Sequence, residues 1–317
     1  MNFLPMVLLC EYAVTPDVFD TRFYPHEEVG TARLEYLKDV FLEEALLRNL
    51  RHGEWLAVFR NHGRPWHRRG TELLKKMVKQ NRLRKAAAAL FVSPVSDVDW
   101  CREALASHQI DPMTGVISTS QVVDEVGGDP ILGRLERLSS SQCWTSRSTS
   151  VRMTRCHSEY EAQLRLIMHC ANSFMFIDPH LDPTQQRYFD VLPILLLAQG
   201  RCPTPLIEVH RVVYVGSGQN RKLINPTEWE TRYRNVWGNE LINAGLKVEI
   251  FIWDDHHDRY LISDLIGIGM GNGFDTIINP NEITTWSRLG RTTRDDIQRE
   301  FDPACNRHVL RHRFTVP

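Results

Sequence analysis

The chain has 317 residues, roughly twice a usual single domain, and its 42% hydrophobic, 9% aromatic and 24% charged residues match a globular protein with a sizeable core. That composition excludes a disordered, collagen-like or disulfide-scaffold chain. Thirty-eight Lys plus Arg against 39 Asp plus Glu leave a net charge of −1, which selects no partner.

The opening run MNFLPMVLLCEYAV is apolar but has no basic flank and soon meets Glu11 and Asp17, so it predicts a buried first strand, not a signal peptide. Thr31 to Leu50 places Leu34, Leu37, Phe41, Ala45 and Leu46 on one helical face. Residues 55–59 read as a strand, followed by a Gly/Pro loop carrying Arg60, Arg64, Arg68 and Arg69 and a basic helix from Thr71 to Lys85. AAALFVS predicts a short buried strand, DVDWCREALASH an N-capped helix and TGVIST another strand. This alternation predicts an α/β N-terminal domain over 1–138. Eight Ser or Thr in the twelve positions 139–150 predict a linker, and 151–317 form the second domain.

In the second half, HSEYEAQLRLIMHCAN predicts an amphipathic helix and SFMFIDPHLDP a buried strand running into a polar loop. RYFDVLPILLLAQG reads as an apolar helix closed by Gly200, and LIEVHRVVYVG as a strand. Thr227 and Glu230 have the spacing of a capping box for the next helix, and KVEIFIW follows as a strand. The succession is βαβαβ. Loops beyond the carboxyl ends of such strands are where sites are built, and two polar loops fall there, Asp178-Pro-His180 and Asp254 to Arg259.

The second loop carries the strongest constellation: His257-Asp-Arg259-Tyr-Leu-Ile-Ser-Asp264, then Gly267, Gly269, Gly271, Asn272 and Gly273. If the segment from Arg259 is a strand, His257 and Arg259 share a face, an imidazole beside a guanidinium, as phosphoryl chemistry needs. Crowded ligand-type groups at 254–258 also admit a metal reading, but consecutive residues alternate faces and few could converge on one ion. No metal or other cofactor is expected. His180 is a second candidate for the same cleft. His157, Glu159 and Glu161 read as the polar face of a helix, and Gly216-Ser-Gly218-x-Asn220 as a turn. No G-x-S-x-G elbow and no Cys in a motif supports acyl transfer or thiol catalysis.

These residues resemble the motif of the phospholipase D superfamily, His-x-Lys-x4-Asp followed by a Gly-Ser-x-x-Asn type tail. His257 falls on the motif His, Arg259 on the Lys and Asp264 on the Asp; Gly271 lies on the tail glycine and Asn272 takes the place of Ser. The resemblance spans roughly residues 152–285. It implies a metal-independent phosphodiesterase, with His257 as nucleophile or acid, Arg259 as phosphate clamp, Asp264 as orienting residue, and Asn272 and His180 as further contacts. Active members carry two motif copies, and this chain has one, so activity implies a homodimer pairing His257 with its counterpart. The segment is also similar to the non-hydrolytic, phospholipase D-like C-terminal domain of MIT-domain proteins, where His-Asp-Arg is followed by a glycine-rich strand and Gly-x-Asp, as in Gly273-Phe-Asp275. That similarity implies binding without hydrolysis.

Partners follow from the basic stretch. Residues 51–85 hold eleven Arg or Lys against Glu54 and Glu72, with Trp55 and Trp66 interleaved, the pattern of a nucleic-acid footprint. Arg60, Arg64, Arg68, Arg69, Lys75, Lys76 and Lys79 would hold the polynucleotide. Of all 38 basic residues 31 are Arg, which grips phosphate or carboxylate in bidentate fashion. No run approaches the length of a membrane span, and seven scattered cysteines without a C-x-x-C pair suit a reducing, cytoplasmic setting. The expectation is a phospholipase D-like domain, its mixed sheet flanked by helices, behind an α/β domain. It would act as a homodimeric nuclease or as a non-catalytic phosphate-binding module, alone or as a subunit of a defence or nucleic-acid-processing complex.

Overall fold

A computed structural model describes residues 6–60, 63–216, 218–277, 279 and 281–317. It divides into two α/β units, Met1–Ser148 and Thr149–Pro317. Among the described residues no helix is long and apolar enough to cross a membrane.

The first unit is built on five parallel strands, β1 (Cys10–Val14), β2 (Ala45–Asn49), β3 (Leu83–Lys85), β4 (Gly115–Ser118) and β5 (Leu132–Arg134), in the order β3-β2-β1-β4-β5. All five residues of β1 are buried, because helices cover both faces of a parallel sheet. Its one acid, Glu11, is neutralised across the sheet by Arg48 of β2 at 2.6 Å and Arg84 of β3 at 2.9 Å. At the carboxyl ends of β1 and β4, where the strand order reverses, the buried Asp17 carboxylate accepts from the Thr119 amide at 3.1 Å and the Ser118 hydroxyl at 3.3 Å.

Several sequence expectations change here. The helix expected over Thr31 to Leu50 occupies Glu27–Glu44, and its last apolar residues form β2 instead. Residues 54–58 are a short helix, not a strand, and the basic helix runs Arg68–Lys79 before β3. The AAALFVS stretch is an exposed loop: Phe91 is 107% exposed, and Leu90, Val92 and Val95 are exposed beside it. The loop is held from below by a buried ion pair. Glu103 accepts from the amides of Ala89 and Leu90, and Arg51 donates to the Leu90 carbonyl and pairs with Glu103 at 3.3 Å. The 139–150 stretch is not an open linker, since Gln142–Thr145 is helical and Cys143 and Trp144 are buried in the first unit. The capping box of Ser96 and Asp99 starts the helix Asp97–Ile110 as expected. Residues 1–5 of the opening apolar run lie outside the described residues.

The second unit is an eight-stranded mixed sheet. Its strands are β6 (Ser150–Thr154), β7 (Ser173–Ile177), β8 (Leu206–Val212), β11 (Val248–Trp253), β12 (Tyr260–Ser263), β13 (Gly267–Met270), β14 (Ile283–Leu289) and β15 (Leu310–Val316). A separate two-stranded ribbon, β9 (Tyr214–Val215) and β10 (Lys222–Leu223), follows β8. The order in the large sheet is β15-β11-β8-β7-β12-β13-β14-β6, with β11, β8 and β7 parallel and the strands outside them antiparallel. Strand alternation sends Met175, Ile177, Phe251 and Trp253 to one face, where Ile297 and Phe301 pack on them. The helix after the ribbon is Pro226–Ala244, and Asn225, not Thr227, caps it by accepting the Thr227 amide at 3.0 Å, because Pro226 needs no hydrogen-bond partner at the first helical position.

Candidate functional site

The three parallel strands β7, β8 and β11 end side by side, and the polar loops that follow them meet there. Strand β12 then runs back antiparallel to β7, pairing Tyr260 with Ile177, so Arg259 falls beside Asp178. The Arg259 Nε lies 3.8 Å from the Asp178 Oδ1. Asp178 is fully buried. Its Oδ1 accepts the His180 amide at 2.9 Å and its Oδ2 the Phe274 amide at 3.1 Å, while burial pushes its pKa above the usual carboxylate range.

Gly273 closes this arrangement from the glycine-rich side. It sits at φ +71°, and a Cβ there would come within 2.1 Å of the Asp178 Oδ2 and 2.7 Å of the Arg259 Cδ. Only glycine combines that backbone with that approach.

His180 lies half-buried under several guanidinium groups. Burial first, and then the charges of Arg259, Arg187, Arg211 and Arg221, pull its pKa down to about 4. Arg211 is fully buried, donates to the carbonyls of Leu181 and Tyr214, and stacks 3.3 Å from the Trp229 ring, so it builds the loops. Arg221 bonds Asp255 at 3.1 Å and lies over the Tyr214 ring. Arg187 is the most open of the four at 47% exposed, with Arg221 at 38% and Arg259 at 29%. The result is a cluster of guanidinium groups around His180, set beside the carboxylates of Asp178, Asp255 and Asp275.

His257 stands open to solvent. Its side chain is 76% exposed, and the Asp255 carboxylate 3.9 Å away is its ion-pair neighbour. Regular pairing begins at Tyr260, so His257 and Arg259 both precede the strand. Asp264 stands at the far end of β12, five residues from Arg259 and so about 16 Å along an extended chain. There it accepts the Asn172 amide at 2.9 Å, and it cannot orient His257. Asn272 is exposed in the turn after β13.

The crowded acids and histidines of 254–258 take separate partners. Asp254 accepts the Val309 amide, Asp255 accepts from the Tyr214 hydroxyl, and His256 is buried edge-on to Phe301. Among the described residues no three His, Cys, Asp or Glu side chains are placed to hold a metal. Ser217, in the turn Gly216–Asn220, lies outside the described residues.

The basic stretch divides. Lys75, Lys76 and Lys79 are exposed on the outer face of the helix Arg68–Lys79, whose Leu73, Leu74 and Met77 are buried, and Arg60 is exposed as well. Arg68 and Arg69 pair with Glu72 at 3.1 Å each, and Arg64 bonds both Asp20 and Asp97 at 3.0 Å. Trp55 is fully buried and cannot stack on a base. His157 pairs with Glu161 at 3.2 Å along one helix face, as the spacing suggests. Arg187, Arg221 and Tyr214 were not legible as site residues, since no local motif marks them; only the end-to-end alignment of β7, β8 and β11 brings them in.

No family model and no curated protein matches the chain. Among solved structures it is similar to a polyphosphate kinase from Porphyromonas gingivalis, at 10% identity and a TM-score of 0.32, over 48% of this chain and 25% of the kinase. It is also similar to TrmBL2, an archaeal chromatin protein described with a novel mode of DNA binding, at 10% identity and a TM-score of 0.31, over 76% of this chain and 81% of that one.

Proposed function

We propose that the second unit is a phospholipase D-like module that binds a phosphate ester of nucleic acid at Arg259 and His180 and that a single chain does not cleave it. The observation that carries this reading is the contrast between the two motif residues: Arg259 is fixed beside Asp178 over a half-buried His180, whereas His257 is 76% exposed. A phosphodiesterase needs its nucleophile and its clamp within reach of one phosphorus, about 3–3.5 Å at attack.

A second reading draws on the same exposure. An open His257 is available to a second copy of the chain, and a homodimer could then assemble a nuclease site with phosphohistidine chemistry; membership of a larger complex would be another route to completion. Product analysis separates the readings. Labelled single-stranded and duplex oligonucleotides incubated with the protein and with His257→Ala should emerge intact from both. Cleavage by the parent chain that is lost in His257→Ala would replace the binding module with the dimeric nuclease.

A further inference from the structure

Within the second unit an open cavity of about 660 Å³ has His157, Gln186, Arg187, Phe189, Asp190 and Cys156 in its wall. Its size is that of sites for small organic ligands. Two contacts join its wall to the segment that holds Asp178. The Arg187 guanidinium lies 4.0 Å from the Asp275 Oδ2, and the Thr276 amide donates to the Arg187 carbonyl at 2.7 Å; the residue before Asp275 is Phe274, whose amide holds Asp178. Arg187 thus lines the cavity, its guanidinium lies near the Asp275 carboxylate, and its charge is felt by His180.

The lining is of a particular kind. Phe189 leaves 54% of its surface open at the cavity, a large aromatic face without cover. Around it stand donors and acceptors in a mixed set: the exposed Gln186 amide, the Asp190 carboxylate that accepts from the Thr276 hydroxyl at 2.7 Å, and the His157 imidazole 3.8 Å from the same carboxylate. A stacking face, a mixed hydrogen-bonding rim and a neighbouring cation together match a nucleobase whose phosphate is held next door. Inorganic phosphate or polyphosphate would leave the ring unused. A lipid chain would find charged walls.

We infer that this cavity receives one unstacked nucleobase over Phe189 while its phosphate occupies the Arg259 and His180 site, so the ligand is single-stranded nucleic acid or a flipped-out nucleotide. This rests on the phosphate-binding reading above. A base inside a duplex cannot reach such a cavity without leaving the stack.

The test compares ligands that differ only in the base. Adenosine and uridine 5′-monophosphate are titrated against ribose 5-phosphate, using the full chain and Phe189→Ser, and the alkylation rate of Cys156 is followed by peptide mass spectrometry. The nucleotides should bind about tenfold more tightly than ribose 5-phosphate, the scale of one base on one ring. Phe189→Ser should erase that difference and leave ribose 5-phosphate unchanged, and the nucleotides should slow Cys156 alkylation more than ribose 5-phosphate does. Equal affinities, or a difference that survives Phe189→Ser, would overturn the base cavity and leave the phosphate site standing. Absence of binding by all three ligands would remove the phosphate reading together with it.

Discussion

Gly273 lies against Asp178 so closely that a single added carbon would come within 2.1 Å of the buried Oδ2. Gly273→Ala should therefore cost about 2 kcal/mol or more, from the strained φ and the displaced carboxylate together, and should weaken anion binding because Arg259 shares the contact. Gly269→Ala in β13 is the matched control, since a Cβ there would meet its nearest neighbour at an ordinary 3.5 Å. Chemical denaturation of both variants checks this; equal stabilities would contradict the close approach.

The depressed pKa of His180 is a direct reporter of the guanidinium groups around it. Its imidazole should titrate near pH 4 by NMR, and Arg259→Ala should move that midpoint upward, part of the way towards 6.5, with the burial contribution left in place. A midpoint that does not move on removing Arg259 would separate the two side chains.

His256 predicts how stability depends on pH. Burial, with the charges of His210 and His308, pulls its pKa down to about 3. Unfolding restores a value near 6.5, so below that pH the unfolded state takes up a proton that the native state refuses. Stability should fall as pH drops from about 6.5 towards 3, by at most about 1.4 kcal/mol per pH unit from this residue. His256→Phe should flatten that slope, which denaturation at pH 7, 6 and 5 would reveal.

The loop at 86–95 separates exposure from support. Phe91→Ser should change stability by no more than about 0.5 kcal/mol, because the ring is already in water. Glu103→Ala should cost about 3 kcal/mol, since it strips Arg51 of a buried partner and leaves the Ala89 and Leu90 amides without their acceptor. Similar effects from the two substitutions would contradict the arrangement.

These contrasts also show which features local pattern could carry. The helix from His157 and the strands β7, β8 and β11 follow from periodicity, so the second unit was largely legible. Strand β2 was hidden because ALLRN continues the apolar spacing of the preceding helix, and a five-residue buried strand has no period of its own. The apolar text of 89–95 looked buried because hydrophobicity alone does not record that Arg51 and Glu103 hold the loop outward. At the site, Arg259 and His180 could be singled out from their loops, but their convergence with Arg187 depends on which strands are neighbours. Residue spacing put His257 and Arg259 two apart, and in the structure both fall in the loop before β12. The abundance of Arg pointed to phosphate, yet Arg48, Arg84, Arg64 and Arg51 serve carboxylates inside the first unit.

The account turns on whether Arg259 holds a phosphate. The most direct measurement is the salt dependence of binding a short fluorescent single-stranded oligonucleotide, made on the parent chain and on Arg259→Ala under conditions where the strand stays intact. Arg259→Ala should weaken binding and reduce the slope of log affinity against log salt by about 0.7, the loss of one phosphate contact on a single strand. An unchanged affinity and slope would place the nucleic acid elsewhere and contradict the site.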